Sequence, residues 1–415
     1  MYKTVGGRKK DKGLRCQICT SCGLCPGVAH AGAGTGDLCV LTEDALFRAK
    51  APIRGNRRLA VADIGTTTIA MLLYNADSSV ADRFVSVNPQ IVYGADVLSR
   101  IRAAEDAGAA ADMQAMVRGL LEQGLKRFSG SLRSGEELYL VLAANTTMTY
   151  LLMGWNPAEL GRAPFCASYL SGAETKIGDA PCFVFPGLSA FVGGDIVAGI
   201  YATDMCERQG LTLLLDLGTN GEMALGNGER RIACSTAAGP AFEGGVNRGV
   251  WGADMISLLA RLRQEGILDE TGLLAEPYFT RGIRIGNVTV TQEAVRSVQL
   301  AKGAIAAGIE ILLNKYGADP EAVERVVLAG GFGYYLQPDA AVRIGLLPET
   351  LGKKTITGGN TALAGALMAG RRIVEDGKTD SIRAQLEETV LRTDVINLAE
   401  EPDFENIYMS RLGLE

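Results

Sequence analysis

Apolar residues fall in short runs along this chain, and two of those runs follow the same plan. "LAVADIG" (59–65) and "TIAMLLYN" (68–75) read as two strands about a polar turn, with "DRFVSVN" (82–88) as a third. "ADMQAMVRGLLEQGLKRF" places Met113, Met116, Val117, Leu120 and Leu121 at helical spacing. "LYLVLAANTT" predicts a strand running into a loop, and "FVGGDIVAGIYATDM" a glycine turn opening a helix. The grammar then restarts in "LTLLLDLGTNGEMALGNG": apolar strand, Asp, Leu or Ile, Gly, Thr, then a second strand. Each copy predicts a β-hairpin whose turn carries Asp-x-Gly-Thr. Asp63 and Asp216 lie 153 residues apart, a spacing that suits two similar α/β lobes rather than a solenoid. "ERVVLAGGFGYYL" reads as a strand ending in a glycine pair, and "TALAGALMAGRRIV" as a helix after a later Gly-Gly. Beyond about residue 371 the charge is mixed, with a strand at "DVINL" and a final short helix.

At 415 residues the chain is too long for one core. The expected division is a cysteine-rich segment and linker over 1–57, a first lobe over 58–210, a second over 211–370, and a strand and helix tail over 371–415. With 47% hydrophobic residues, a soluble globular protein is expected. No membrane span and no signal peptide are read, which makes the cytoplasm the expected location. The net charge of −6 argues against nucleic-acid binding. The first fifteen residues are the exception, with Lys3, Arg8, Lys9, Lys10, Lys12 and Arg15 against Asp11, and read as a solvated terminus or a docking patch for an acidic partner. The single histidine, His30, argues against a Ser-His-Asp site and against a multi-histidine metal centre.

An Asp-x-Gly-Thr turn brings backbone N–H groups and hydroxyls around an anion. Gly65 and Gly218 permit close approach, while Thr66, Thr67, Thr68 and Thr219 can donate to phosphate oxygens. Asp63 and Asp216 cannot bind phosphate directly, but each can hold Mg2+ through water. The plain alternative is two ordinary tight hairpins, which the pairing of the turns and the later strand-Gly-Gly make less apt.

With those motifs the chain resembles the superfamily of acetate and sugar kinases, heat-shock chaperone ATPases and actin. The resemblance implies duplicated ribonuclease-H-like domains in a two-lobed, actin-like ATPase. It makes the Asp63 and Asp216 turns the two phosphate motifs, with Asn220 and Gly221 in the second, and "LAGGFG" with Gly330, Gly331 and Phe332 the adenosine motif. Glu222, just after the second turn, reads as orienting the metal's waters or as an ordinary strand residue. Asp195 then falls where some members orient or activate the attacking nucleophile; a helix N-cap explains it equally well. "NPQIVYGADVLSRI", "NTTMTYLLMGWNPAELGRAPF", "CSTAAGPAFEGG" and "VINLAEEPDFENIYMSRLGL" resemble the ATPase body of the reductive activators of corrinoid enzymes, over roughly 58–415. This implies cleft roles for Asn145, Thr146, Gly239, Gly244 and Gly245, which capping and plain loops would otherwise explain. It also implies an ATP-dependent protein returning a Co(II) corrinoid to Co(I), with a corrinoid protein as client and a low-potential donor such as ferredoxin.

That activity needs an electron carrier, and "CQICTSCGLC" offers one. Cys16, Cys19, Cys22 and Cys25, with Cys39 beyond, give C-x2-C-x2-C-x2-C-P, one residue tighter than the bacterial ferredoxin run. Five thiols supply the four a 4Fe–4S cluster needs, and Cys25 or Cys39 is the one left over. Zinc is the rival, followed by disulfides or unliganded thiols. Well-known activators carry a full plant-type ferredoxin domain or a cysteine set after the ATPase, and this chain shows neither. A homodimer sharing the cysteines is compatible with this. The rival functions are a small-molecule kinase with a structural zinc site and a chaperone-like ATPase that remodels its partner. Cys166, Cys182, Cys206 and Cys234 read as scattered small hydrophobes without a role.

Overall fold

The computed structural model describes residue 53 and residues 57–218, 220–236, 252–285 and 288–414. Its first half opens with an antiparallel meander of β1 (Arg57–Ile64), β2 (Thr68–Tyr74) and β3 (Val80–Val87). Helices α1 (Val97–Ala103) and α2 (Ala107–Ser129) follow, each capped by an aspartate, Asp96 and Asp106. β4 (Glu137–Ala144) then lies parallel to β1. The loop expected after it is missing, because Asn145 caps α3 (Thr146–Met153) directly. β5 (Ala173–Ile177) and β6 (Ala180–Val184) finish a sheet of order β3-β2-β1-β4-β6-β5. α4 (Gly194–Ala202) leads out of it.

The second half repeats the plan. β7 (Leu211–Leu217), β8 (Gly221–Gly226) and β9 (Arg231–Thr236) form the meander. After it come α5 (Gly252–Gln264), α6 (Tyr278–Arg281), the small hairpin β10 (Ile283–Ile285) with β11 (Val288–Val290), and α7 (Gln292–Tyr316). β12 (Val323–Ala329) lies parallel to β7. The short helices α8 (Gly330–Gly333), α9 (Pro338–Arg343) and α10 (Glu349–Gly352) lead to β13 (Thr355–Gly359), parallel to β12. α11 (Thr361–Asp376), α12 (Asp380–Leu391), β14 (Thr393–Ile396) and α13 (Phe404–Ser410) complete the described chain. β14 joins the second sheet, parallel to β9, giving the order β13-β12-β7-β8-β9-β14. A three-stranded meander with two parallel strands added beside its first strand occurs twice, as duplicated ribonuclease-H-like domains require.

Three cores follow from this layering. Met113, Val117, Leu121 and Phe128 of α2 cover the outer face of the first sheet. Helices α5 and α7 cover the outer face of the second, with Ile256, Leu259, Ile305 and Leu312 buried there. The third core is shared. Leu59, Val61 and Val141 of the first sheet meet Leu214, Ala224 and Val327 of the second through Val197 and Ala198 of α4 and Ala362, Ala366 and Leu367 of α11. Such alternating apolar faces need cover on both sides, which explains why the strands read as near-continuous apolar runs.

The segment after α13 is held by buried polar groups. Lys302 of α7, 1% exposed, donates its ammonium to the Arg411 and Gly413 carbonyls, and Arg263 Nε donates to Leu414 O at 3.0 Å. Among the described residues no helix is long and apolar enough to cross a membrane.

Candidate nucleotide-binding cleft

Both Asp-x-Gly turns are hairpin tips, as expected. Asp63 sits near the end of β1 opposite Ala70, and Asp216 near the end of β7 opposite Glu222. The first turn closes through the Gly65 N–H donating to Thr68 O at 2.9 Å. Asn88 braces it, donating Nδ2 to Gly65 O at 2.9 Å and its backbone N–H to Thr67 O at 2.8 Å. The second turn is one residue shorter and closes through the Gly218 N–H to Asn220 O at 2.9 Å. A side chain at Gly218 would meet nothing within 4 Å, so this backbone faces open space.

Asn145 does two things at once. Its Oδ1 accepts from the Met148 N–H at 3.0 Å, and its Nδ2 donates to Thr66 Oγ1 at 3.2 Å, which docks the head of α3 onto the first turn. Thr146 Oγ1 donates to Ser189 O at 2.6 Å. Gly193 packs its backbone against Asn145, where a Cβ would come within 2.5 Å of the Asn145 Cα. Gly193, not Asp195, is the N-cap of α4; Asp195 is the second helical residue and accepts from the Ile196 N–H at 2.9 Å. Gly330 has φ +78 and its missing Cβ would collide with Asp216 Oδ1, so the end of β12 and the second turn fit only because that residue is glycine. Gly331 faces open space, while Phe332 is buried in the second-sheet core.

Four carboxylates therefore meet here: Asp63, Asp195, Asp216 and Glu222. Each keeps a partly open surface while protein surrounds it. Burial pushes Asp63 up to about 6, opposed by the Asn360 amide. Burial and then the Asp63 charge push Asp195 to about 7. Burial, Asp195 and Asp63 push Asp216 to about 8, opposed by Thr361. Glu222 is raised well above the usual carboxylate range by burial, Asp195 and Asp216. No basic side chain figures among the groups that perturb them. Like charges held this way in low dielectric favour a cation. Among the described residues no three acidic, histidine or cysteine side chains converge to ligate a metal directly. Paired carboxylates such as these suit a divalent ion held through its waters and shared with phosphates.

Two groups here escaped the sequence reading. Asn360 caps α11 and donates Nδ2 to Asp63 Oδ2 at 2.7 Å, across 297 residues of chain. Thr361 follows it beside Asp216. Their signal was Gly-Gly-Asn-Thr at 358–361, the same glycine pair before a polar helix head as at 193–195. The metal candidates Cys16, Cys19, Cys22, Cys25 and Cys39, and the cleft candidates Thr219, Gly239, Gly244 and Gly245, lie outside the described residues.

Residues 59–208 match the family model of the RACo middle region. Residues 210–248 and 246–415 match that of the C-terminal domain of RACo, the ASKHA domain. The chain belongs to the RACo family, the reductive activators of corrinoid proteins. Among the relatives of this chain is the corrinoid activation enzyme RamQ of Eubacterium limosum, 30% identical over 418 residues, covering 84% of this chain and 68% of RamQ. The [Co(II) methylated amine-specific corrinoid protein] reductase of Methanosarcina barkeri is 25% identical over 302 residues, covering 60% of this chain and 54% of the reductase. The solved reductive activator for a corrinoid, iron–sulfur protein superposes with a TM-score of 0.75 at 26% identity, covering 88% of this chain and 66% of its own. The chain thus spans between about half and two thirds of these relatives' lengths.

Proposed function

We propose that the protein is an ATP-dependent reductive activator of a corrinoid protein. Mg·ATP binds between the two hairpin turns, and one electron passes from an iron–sulfur cluster on the N-terminal cysteines to Co(II), giving Co(I). The observation that carries the reading is the pairing of two phosphate-type turns around four cation-seeking carboxylates in a chain of this family. Backbone N–H groups of the turns bind the phosphates. Asp63 and Asp216 hold the hydrated Mg2+, which supplies charge neutralisation to the phosphates. Asp195, at the head of α4 and between the two turns, orients the water that attacks the terminal phosphate. Binding or hydrolysis closes the lobes, and closure shifts the affinity for the client, which must differ between the two states. The N-terminal cysteines would hold the cluster, which would supply one-electron transfer from a low-potential donor such as ferredoxin, and the client is a corrinoid-dependent methyltransferase protein.

The test is anaerobic purification followed by iron, sulfide and zinc analysis and EPR after dithionite reduction. About four irons and four sulfides per chain are expected, with ATP-dependent loss of the Co(II) EPR signal of a corrinoid protein. Stoichiometric zinc without iron sinks the electron-transfer step and leaves an ATPase that remodels its partner. ATP-independent reduction sinks the coupling.

A further inference from the structure

We infer that Asn360 and Thr361 are a positioning pair that ties the two phosphate turns to each other and passes nucleotide occupancy into the crossing of α4 and α11. The inference rests on the proposed reading of the cleft as an ATP site.

The geometry begins one residue earlier. β13 belongs to the second sheet, whereas α11 packs on β1 and β4 of the first. The chain passes from one sheet to the other at Gly359 and Asn360. Gly359 has φ +77, and the β12–β13 register shifts between Leu328 and Ala329, where Ala329 pairs with it. That irregularity points residue 360 back across the cleft. Asn360 then uses both ends of its amide: Oδ1 accepts from the Leu363 N–H at 2.8 Å, and Nδ2 donates to Asp63 Oδ2 at 2.7 Å. An aspartate there would keep the helix cap and lose the donor, while a serine would cap with a shorter side chain whose single hydroxyl does not reach Asp63 as the amide Nδ2 does.

Thr361 supplies the second prong. It is fully buried, and its hydroxyl lies on the Asp216 side without forming a well-aligned hydrogen bond. A buried hydroxyl in that condition is completed by a small approach of its neighbour. Thus the head of α11 grips one aspartate and stands beside the other. Behind it, the missing Cβ of Gly365 would collide with the Ala198 carbonyl, and that of Gly199 would sit 3.1 Å from Thr361 Oγ1. The two helices therefore cross backbone to backbone, without side chains to absorb a displacement. α4 carries Asp195 at its own head. Both crossing helices start at the carboxylates, and movement of either aspartate toward a bound cation is transmitted to the contact between the sheets.

The experiment is hydrogen exchange of the full chain over 194–202 and 361–376, with and without Mg·AMPPNP held saturating by titration for each variant. Wild type should show slower exchange in both segments on binding, by about fivefold or more. Asn360→Ser and Thr361→Val should lose that nucleotide-dependent slowing, while Thr361→Ser, which keeps a hydroxyl, should retain it. A role in structure alone would raise exchange equally with and without nucleotide. Wild-type slowing preserved in Asn360→Ser, or Thr361→Ser behaving as Thr361→Val, would overturn the pair. Wild type that binds nucleotide without any slowing would do the same. Wild type that binds no Mg·AMPPNP would instead overturn the ATP reading of the cleft.

Discussion

Asp216 faces Glu222 across β7 and β8 and senses Asp195 and Asp63 besides, so its burial is paid for by holding a proton. Its folded carboxyl titrates at about 8, well above the ordinary value of 3.8. A group raised in this way adds stability that is full below its unfolded pKa and is lost as the pH rises through its folded one. Asp216→Asn, which does not titrate, should therefore gain on wild type steadily from pH 5 to pH 8 in the absence of nucleotide, because that window lies between the unfolded and folded values. The expected difference in melting temperature is a few degrees, measured by scanning calorimetry at both pH values; equal differences at the two would refute the account. The same variant should lose ATP-coupled activation while keeping its iron content. Gly330→Ala acts on the same carboxylate from outside, since a methyl there collides with Asp216 Oδ1 on a backbone at φ +78. Its ATPase rate should fall about tenfold or more through displacement of one cation-holding group.

Among the elements, glycines of opposite surroundings give opposite signs. Gly119 lies within α2 with nothing within 4 Å of its missing Cβ. Gly119→Ala should stabilise by about 0.5–1 kcal/mol, read from urea unfolding. Gly365→Ala, driven into the Ala198 carbonyl at the α4–α11 crossing, should destabilise by about 1–3 kcal/mol in the same assay. The hairpins behind these elements were legible because Asp-x-Gly-Thr interrupts apolar runs twice, and because strand and turn are local in sequence. The families of side chains at the turns were legible for the same reason. Asn360 was not, since its partner is 297 residues away and its local pattern reads as a plain helix cap. Glu222 was already a candidate beside the second turn, but its place directly opposite Asp216 came only from the strand register. Asp195 read equally well as a cap or as a cleft carboxylate, and with Gly193 as the N-cap it is the second helical residue, close enough to add its charge to Asp216 and Glu222. The strand in the tail was visible; its parallel pairing with β9 was not, because parallel partners leave no turn between them.

For the whole molecule, the middle core decides how the halves depend on each other. Leu59, Val61 and Val141 share one apolar cluster with Leu214, Ala224 and Val327 through α4 and α11. Although the topology is duplicated, neither half can bury its inner face alone. Residues 58–208 and 210–415 made separately should aggregate, and produced together they should associate into a soluble complex. Size-exclusion chromatography of the co-expressed pieces checks this, and a soluble, monomeric first piece on its own would contradict it. Lys302 offers a different use of the same architecture. Its ammonium is enclosed by the carbonyls of residues 411 and 413, so an acylating reagent that marks surface amines should pass it by. The rate at which that one lysine becomes acylated is then a built-in clock for undocking of the segment beyond α13, readable by mass spectrometry without adding any label site.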